Sequence, residues 1–311
     1  MSGKFNIQFF LGMVILILFF LSCSFIPENS SNDSSFQPDT VISYEPVIVI
    51  NELPDVIDEN SGLIFFRNLF WTFNDSGGKA KIYGFNPETG KIEQIITLSN
   101  GTNNDWEDIT QDSLYIYIGD FGNNFGKRQD LKIYKVQKSR IPESGNVTLK
   151  AKIIEFSYSG QENFSFSYKS NSFDCEAFFC LDDTLYLFTK DWINQNSTVY
   201  ILPNVEGRYI ANYHDSFNVN GLITGADISP DKSIIALSGY KDYLPFVWLF
   251  SKFKNNRFFS GKKIRINMPE LYHEQTEGIC FTTADSLFIS TEASRVIHRM
   301  FFIPVSLWEN Y

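Results

Sequence analysis

One pattern of polar and hydrophobic positions recurs five times along the chain. In each copy a polar residue precedes a short apolar run, a turn follows, and a longer apolar run ends on a second polar residue. The copy at 104–120 shows this clearly, because Glu107 precedes Ile109 and the run 114–119 ends on Asp120. The other copies begin near residues Glu59, Asp174, Gly225 and Thr276. Short apolar runs separated by turns predict β-strands, and a strand repeat of about 50 residues is typical of a propeller.

Each repeat divides into four strands, which predicts an all-β fold built as a single β-propeller. The fifth repeat has its third strand at 296–303 but lacks a fourth. The isolated apolar run at 47–50 can supply that strand and close the ring, which removes the exposed sheet edges of an open array. Five blades account for the strong strand signals. Six blades are the alternative, because the second and third acidic starts lie 69 residues apart, whereas the other intervals are 46 to 51.

Residues 1–23 have the features of a targeting segment. Lys4 precedes thirteen uncharged residues at 9–21, a run too short to span a bilayer and suited to a signal peptide. The run ends in Phe-Leu-Ser-Cys at 20–23, which resembles a bacterial lipobox and implies that Cys23 is lipidated. An ordinary secretory signal or an uncleaved anchor is the alternative. Ser24, rather than an aspartate, follows the cysteine, and this favours an outer membrane.

Three regions are expected along the chain. The lipoprotein signal peptide occupies 1–23. The segment 24–45 is rich in serine and asparagine and cannot build a core, which predicts a flexible tether. The β-propeller domain follows at 46–311.

Composition narrows the classes of partner and site. The net charge of −10 argues against binding a nucleic-acid backbone and fits an exported protein that attracts cations, although plain solubility explains it equally. Cys175, Cys180 and Cys280 are odd in number and form no Cys-x-x-Cys pair, so buried apolar cysteines are expected rather than a zinc site.

Acidic residues recur at two positions of the repeat that meet at one end of a propeller. The first strand lines the channel and the second runs antiparallel to it, so the start of one and the end of the other share a rim. The first-strand starts predict a metal site, with calcium as the cofactor, at Glu107, Glu176, Asp227 and Glu277. The surrounding mouth is predicted to bind a ligand through Asp75, Asp105, Trp106, Asp108, Asp120, Asn123, Asp191 and Glu292. The alternative for each residue is local: Asp and Asn cap turns, and Trp106 packs between blades.

The repeat starts also carry a family resemblance. Ser61-Gly62-Leu63, Trp106 to Ile109, Cys175 to Phe178 and Thr276 to Ile279 resemble the propeller superfamily that holds the SdiA-regulated, strictosidine-synthase-like and esterase-like phytase proteins. The stretches 74–78 and 105–124 are similar to exported lipoproteins of Bacteroidetes-type bacteria. The resemblance implies calcium in the channel, with Glu107, Glu176 and Glu277 at the matching positions. Asp227 replaces glutamate in the fourth repeat, and Ser61 or Glu59 stands in the first.

Two functions are consistent with these features. The first is a lipid-anchored binding module of the cell envelope, expected at the outer membrane, monomeric, and taking a glycan, small molecule or protein rather than a nucleic acid. The second is a calcium-dependent phosphoester or ester hydrolase, in which the metal would polarise substrate or activate water. The absence of a Gly-x-Ser-x-Gly motif favours the first.

Overall fold

A computed structural model describes residues 37–165, 167–293 and 297–308 of the chain. The predicted signal peptide 1–23, Cys23 and the first part of the predicted tether lie outside the described residues. The described residues belong to one compact unit. Among them, no helix combines the length and apolar character needed to cross a membrane.

Strands dominate the described part of the chain. The N-terminal strands are β1 (Thr40–Ser43) and β2 (Val47–Ile50). The first two repeats contain β3 (Asn60–Phe66), β4 (Leu69–Asn74), β5 (Lys81–Phe85), β6 (Ile92–Leu98), β7 (Trp106–Gln111), β8 (Tyr115–Asp120), β9 (Lys132–Gln137), β10 (Val147–Leu149) and β11 (Lys152–Tyr158). The third and fourth contain β12 (Asp174–Leu181), β13 (Thr184–Lys190), β14 (Asn196–Pro203), β15 (Gly207–Asn218), β16 (Leu222–Ile228), β17 (Ile234–Lys241), β18 (Leu244–Ser251) and β19 (Lys262–Asn267). The fifth contains β20 (Gln275–Thr283), β21 (Ser286–Glu292) and β22 (Met300–Pro304). Short 3-10 turns lie at Asp55–Ile57, Lys138–Arg140, Phe258–Ser260, Pro269–Leu271 and Val305–Trp308.

The described strands pair into five antiparallel units of four. The innermost strands contact one another in cyclic order, β3 with β7, then β12, β16, β20 and back to β3. Strand β2 pairs antiparallel with β22 and completes the last unit, so this sheet combines a strand from near the start of the described chain with strands from near its end. The prediction of an all-β propeller closed by the N-terminal strand is confirmed.

Three parallel pairings are not apparent from the repeat. Strand β1 pairs with β19, although Thr40–Ser43 falls within the segment 24–45 expected as a flexible tether. The physical reason is that the β-branched residues Thr40, Val41 and Ile42 suit the open edge of β19. Strand β10 covers the edge of β6, and β11 pairs with β15 to join the second and third units. The interval from Glu107 to Glu176 is long because it contains the additional strand β10 and the loop 159–173. The described residues of this loop form no strand.

Packing between neighbouring units forms the core. One cluster joins the first and second units through Trp71, Phe73, Trp106 and Tyr134. Cys175, Cys180 and Cys280 are buried free thiols, as predicted. Burial raises the pKa of the Cys180 thiol to about 11, which keeps it protonated and unreactive at neutral pH.

Candidate metal centre

A β-bulge presents each predicted channel glutamate. Glu107, Glu176 and Glu277 are each the extra residue at the start of β7, β12 and β20, where the register with the second strand shifts. A bulge bends the strand and redirects its side chain. The same device at three equivalent positions brings the three glutamates to one end of the channel.

The glutamates line a polar pocket of about 160 Å³ at this end, which we call the carboxylate pocket. It is lined by Ser61, Asp75, Glu107, Asn124, Tyr168, Lys169, Glu176, Lys190, Tyr240, Gln275, Glu277 and Glu292. Asp105 adjoins it, because one carboxylate oxygen from each of Asp75, Asp105 and Glu107 lies within 4.8 Å of the others. The structure therefore brings six acidic side chains of the predicted site together, and three of them form a group that could hold a metal ion.

Burial and mutual repulsion disfavour the charged state of these acids. Burial raises the pKa of Asp75 to about 8, and Asp105 and Glu176 add to the shift. Burial likewise raises the pKa of Asp105 to about 6 and of Glu292 to about 7. The pKa values of Glu107 and Glu277 are also raised, first by burial and then by their acidic neighbours. In addition, Asp75 Oδ1 is buried without a hydrogen-bond donor. A bound cation would relieve both the repulsion and the unpaired oxygen.

Lys190 supplies one buried positive charge to the pocket. Its Nζ lies 3.0 Å from Glu176 Oε2, and both side chains are almost fully buried. The same Nζ lies 4.8 Å from the ring centre of Trp192. Lys190 ends β13 at the position that Glu292 occupies at the end of β21. The repeat pattern does not predict Lys190, because residues of either charge occupy this position.

Asp227, predicted as a metal ligand, does not line the carboxylate pocket with the three glutamates. The bulge of the fourth unit falls at Thr224, three residues before Asp227, so Thr224 is the equivalent of the glutamates. Asp227 Oδ2 instead accepts a hydrogen bond of 2.8 Å from the backbone N–H of Phe281. It therefore links β16 to β20 further along the channel.

Asp108 has a similar structural role. Its Oδ2 accepts the N–H of Phe178 at 2.9 Å, and its Oδ1 accepts the N–H of Ile109 at 2.8 Å. The first bond joins β7 to β12. Burial raises the pKa of Asp108, and these backbone donors oppose the shift. Asp108 is thus a fully buried connector between inner strands rather than a mouth residue.

Trp106 lies in the core instead of lining the mouth. It is fully buried, its ring meets Phe73 edge-on at 5.3 Å and Tyr134 at 5.8 Å, and Nε1 donates to the Thr102 carbonyl. Phe73 belongs to the first unit and Tyr134 to the second. The alternative expectation, packing between blades, describes Trp106.

Asp120, Asn123 and Asp191 form polar contacts with neighbouring loop residues. Asp120 forms a 2.8 Å ion pair with Arg128. The N–H of Asn123 donates to Asp174 Oδ1, and its own Oδ1 accepts the N–H of Arg128. Asp191 Oδ1 accepts the N–H groups of residues 193 and 194 in a turn. Asn123 and Asp191 fit the turn-capping alternative, whereas Asp120 is held by Arg128.

The raised pKa values predict that the body of the protein, residues 37–311, loses stability with rising pH when no cation is bound. A carboxyl group whose pKa is higher when folded stabilises the fold fully below its unfolded pKa, and that contribution disappears as the pH passes the folded pKa. This stability is lost between about pH 4 and about pH 8, because the pKa values in the folded protein are about 6 for Asp105, about 7 for Glu292 and about 8 for Asp75. We expect the melting temperature in chelator to fall by roughly 5–10 °C from pH 5 to pH 8. A flat profile in chelator would contradict this account of the pocket.

Comparison with known proteins supports the fold alone. No protein-family model matches the chain, and neither does any curated protein. Exo-β-1,3-galactanase of Phanerochaete chrysosporium with galactose aligns at a TM-score of 0.52 and 12% identity, covering 86% of this chain and 66% of the galactanase. A single-substitution variant of this enzyme with β-1,3-galactotriose aligns at a TM-score of 0.50 and 12% identity, covering 84% of this chain and 64% of the galactanase. The Dos1 propeller aligns at a TM-score of 0.36 and 8% identity, covering 75% of this chain and 52% of the Dos1 chain. This chain thus spans about two thirds of the galactanase's length.

Proposed function

We propose that the protein is a lipid-anchored β-propeller of the cell envelope that holds a calcium ion in its carboxylate pocket and binds a ligand at that mouth. The observation that carries the proposal is the convergence of Asp75, Asp105 and Glu107 within 4.8 Å. Six carboxylates meet there against one buried lysine. Such an excess of negative charge in a buried site calls for a cation.

The donor atoms favour calcium over softer metals. The carboxylate pocket offers carboxylate oxygens together with the hydroxyl of Ser61 and the amides of Asn124 and Gln275. Calcium takes six to eight oxygen ligands in flexible geometry, whereas zinc sites rely on His and Cys. Glu107 belongs to the acidic triad and also lines the pocket, so it is the residue on which the ion would be centred.

Strand direction supports an outward-facing mouth. First strands begin and second strands end at the carboxylate pocket, so the fourth strand of each antiparallel unit begins at the other end. In the fourth unit that strand is β19, and β1 runs parallel to it. The described chain therefore enters at the face opposite the pocket, which we call the anchor face. A lipid at Cys23 would draw the anchor face toward the membrane and leave the mouth free for a ligand.

Thermal melts test the calcium proposal. The body is stripped with chelator and titrated with calcium. Because the ion binds the folded state, a concentration of 100 times Kd adds about 2.7 kcal/mol, or roughly 5–10 °C in melting temperature. We expect Asp105→Asn combined with Glu107→Gln to abolish the rise.

Glu143→Gln serves as the matched control. Glu143 is exposed, pairs with Arg67 at 3.3 Å and lies outside the pocket, so this variant should respond to calcium like the native body. No rise with calcium, magnesium or manganese would overturn the metal proposal. A rise that persists in the double variant would place the ion elsewhere.

A further inference from the structure

A groove on the anchor face combines an apolar floor with lysines. It measures about 520 Å³ and lies between the fourth and fifth units. Its floor consists of the buried side chains of Ile234, Leu249, Ile264 and Val305. Lys232, Lys252 and Lys262 also line it, and the first two are exposed. An apolar floor beside cationic side chains suits an anionic amphiphile, whose two ends need these two environments.

The charges around the groove are concentrated on a chain that is acidic overall. The loop between β18 and β19 adds the exposed Lys254 and Arg257 to the three lysines of the groove. Acidic groups reach the same face: Lys232 Nζ lies 2.6 Å from Asp182 Oδ1, Asp231 and Asp285 sit in neighbouring turns, and Asp39 lies beside the start of β19. The basic groups outnumber these acids locally, whereas the whole chain carries a net charge of −10.

The N-terminal segment enters the fold beside this groove. Asp39 Oδ2 accepts the backbone N–H of Lys263, and Thr40 pairs with Ile264 of the groove floor. The 36 residues before Gln37 include Cys23, which we propose to be lipidated. Fifteen or so residues of extended chain reach at most about 50 Å, so an anchored body would hold this face near the lipid headgroups.

We infer that the groove binds an anionic phospholipid of the membrane that carries the protein. The acyl chain would lie along Leu249 and Ile264, and the phosphate would meet Lys232 and Lys252. The identity of the ligand rests on the proposed lipid anchoring, whereas the binding chemistry rests on the groove itself. Each lysine near an anionic headgroup contributes about 1 kcal/mol.

The test uses dihexanoyl phosphatidylglycerol below its micelle concentration, titrated into the body by calorimetry. Residues 37–311 are suitable because they contain every described strand and core cluster of one compact unit. We expect saturable binding, with dihexanoyl phosphatidylcholine and glycerol 3-phosphate at least tenfold weaker. Lys232→Asn with Lys252→Asn should weaken binding about 30-fold, which is about 2 kcal/mol. Both lysines have positive φ, 63° and 56°, so asparagine removes the charge while tolerating the backbone.

The matched control is Lys79→Asn with Lys127→Asn, which removes the same charge from exposed loops outside the groove and should bind like the native body. The inference is overturned by the absence of binding at millimolar lipid, by equal binding of the charged and zwitterionic lipids, or by unchanged binding of the groove variant. Detergent-phase partition of the full chain, compared with Cys23→Ser, tests the anchor separately. Calcium-dependent melting tests the pocket separately, so failure of the groove is distinguishable from failure of the proposed function.

Discussion

Replacing Lys190 with methionine is expected to cost about 3–5 kcal/mol of stability in the absence of calcium, because it leaves Glu176 as an uncompensated buried charge. The ion pair measures 3.0 Å between Nζ and Oε2, and both side chains are buried. The carboxylates of Glu277 and Asp174 also act on Lys190, so its loss removes a buried cation that faces several acids. Urea denaturation in chelator measures the change.

Two companion variants define the cause of this loss. Lys169 is an exposed lysine whose Nζ also lies near Trp192, 4.5 Å from the ring centre. Because its charge is solvated, Lys169→Met should cost less than about 1 kcal/mol of stability. Lys190→Met combined with Glu176→Gln removes both charges and should recover much of the stability. A single-variant loss below about 1 kcal/mol would mean that the acids are already neutralised by other means.

Trp106→Ala is expected to destabilise the body by about 3–5 kcal/mol. The substitution deletes a fully buried indole between the first and second units, together with its bond to the Thr102 carbonyl. The cavity would separate Phe73 from Tyr134, which both contact the ring. Urea denaturation measures the loss, and the slope of the transition should remain that of the native body if unfolding stays two-state.

Trp106→Phe separates packing from ligand binding. It retains an aromatic ring and loses the indole N–H, so it should cost roughly 1–2 kcal/mol. Calcium affinity should stay unchanged, because Trp106 does not line the carboxylate pocket. A calcium affinity reduced more than tenfold in a stable Trp106→Phe protein would contradict this and show that Trp106 contributes to the calcium site.

The repeat pattern was sufficient to predict the propeller but not the strands that pair at the outer edges of its sheets. Strands such as β8 and β13 are recognisable because their apolar runs end at turn residues. The pairing of β2 with β22 followed from counting strands, since the fifth repeat lacked one. In contrast, β1 is four residues long and partly exposed, and only the tertiary position of β19 explains why it forms.

The site shows where sequence reasoning reaches its limit. Glu107, Glu176 and Glu277 share a local signature, and the bulges bring all three to the carboxylate pocket. Asp227 is also acidic, but it lies three residues beyond the bulge at Thr224. The sequence does not reveal where the bulge falls, so the register of Asp227 could not be predicted. Lys190 and Glu176 lie on the paired strands β12 and β13 of one unit, but their contact depends on the bulge at Glu176, so it is visible only in the folded chain.

Equilibrium dialysis of the stripped body against radioactive calcium tests the central claim most directly. We expect one ion retained per chain at pH 7.5, lost in Asp105→Asn with Glu107→Gln and kept in Glu143→Gln, because the acidic triad is the group proposed to hold the ion. Retention at background level by the native body, or equal retention by the double variant, would contradict a calcium site in the carboxylate pocket.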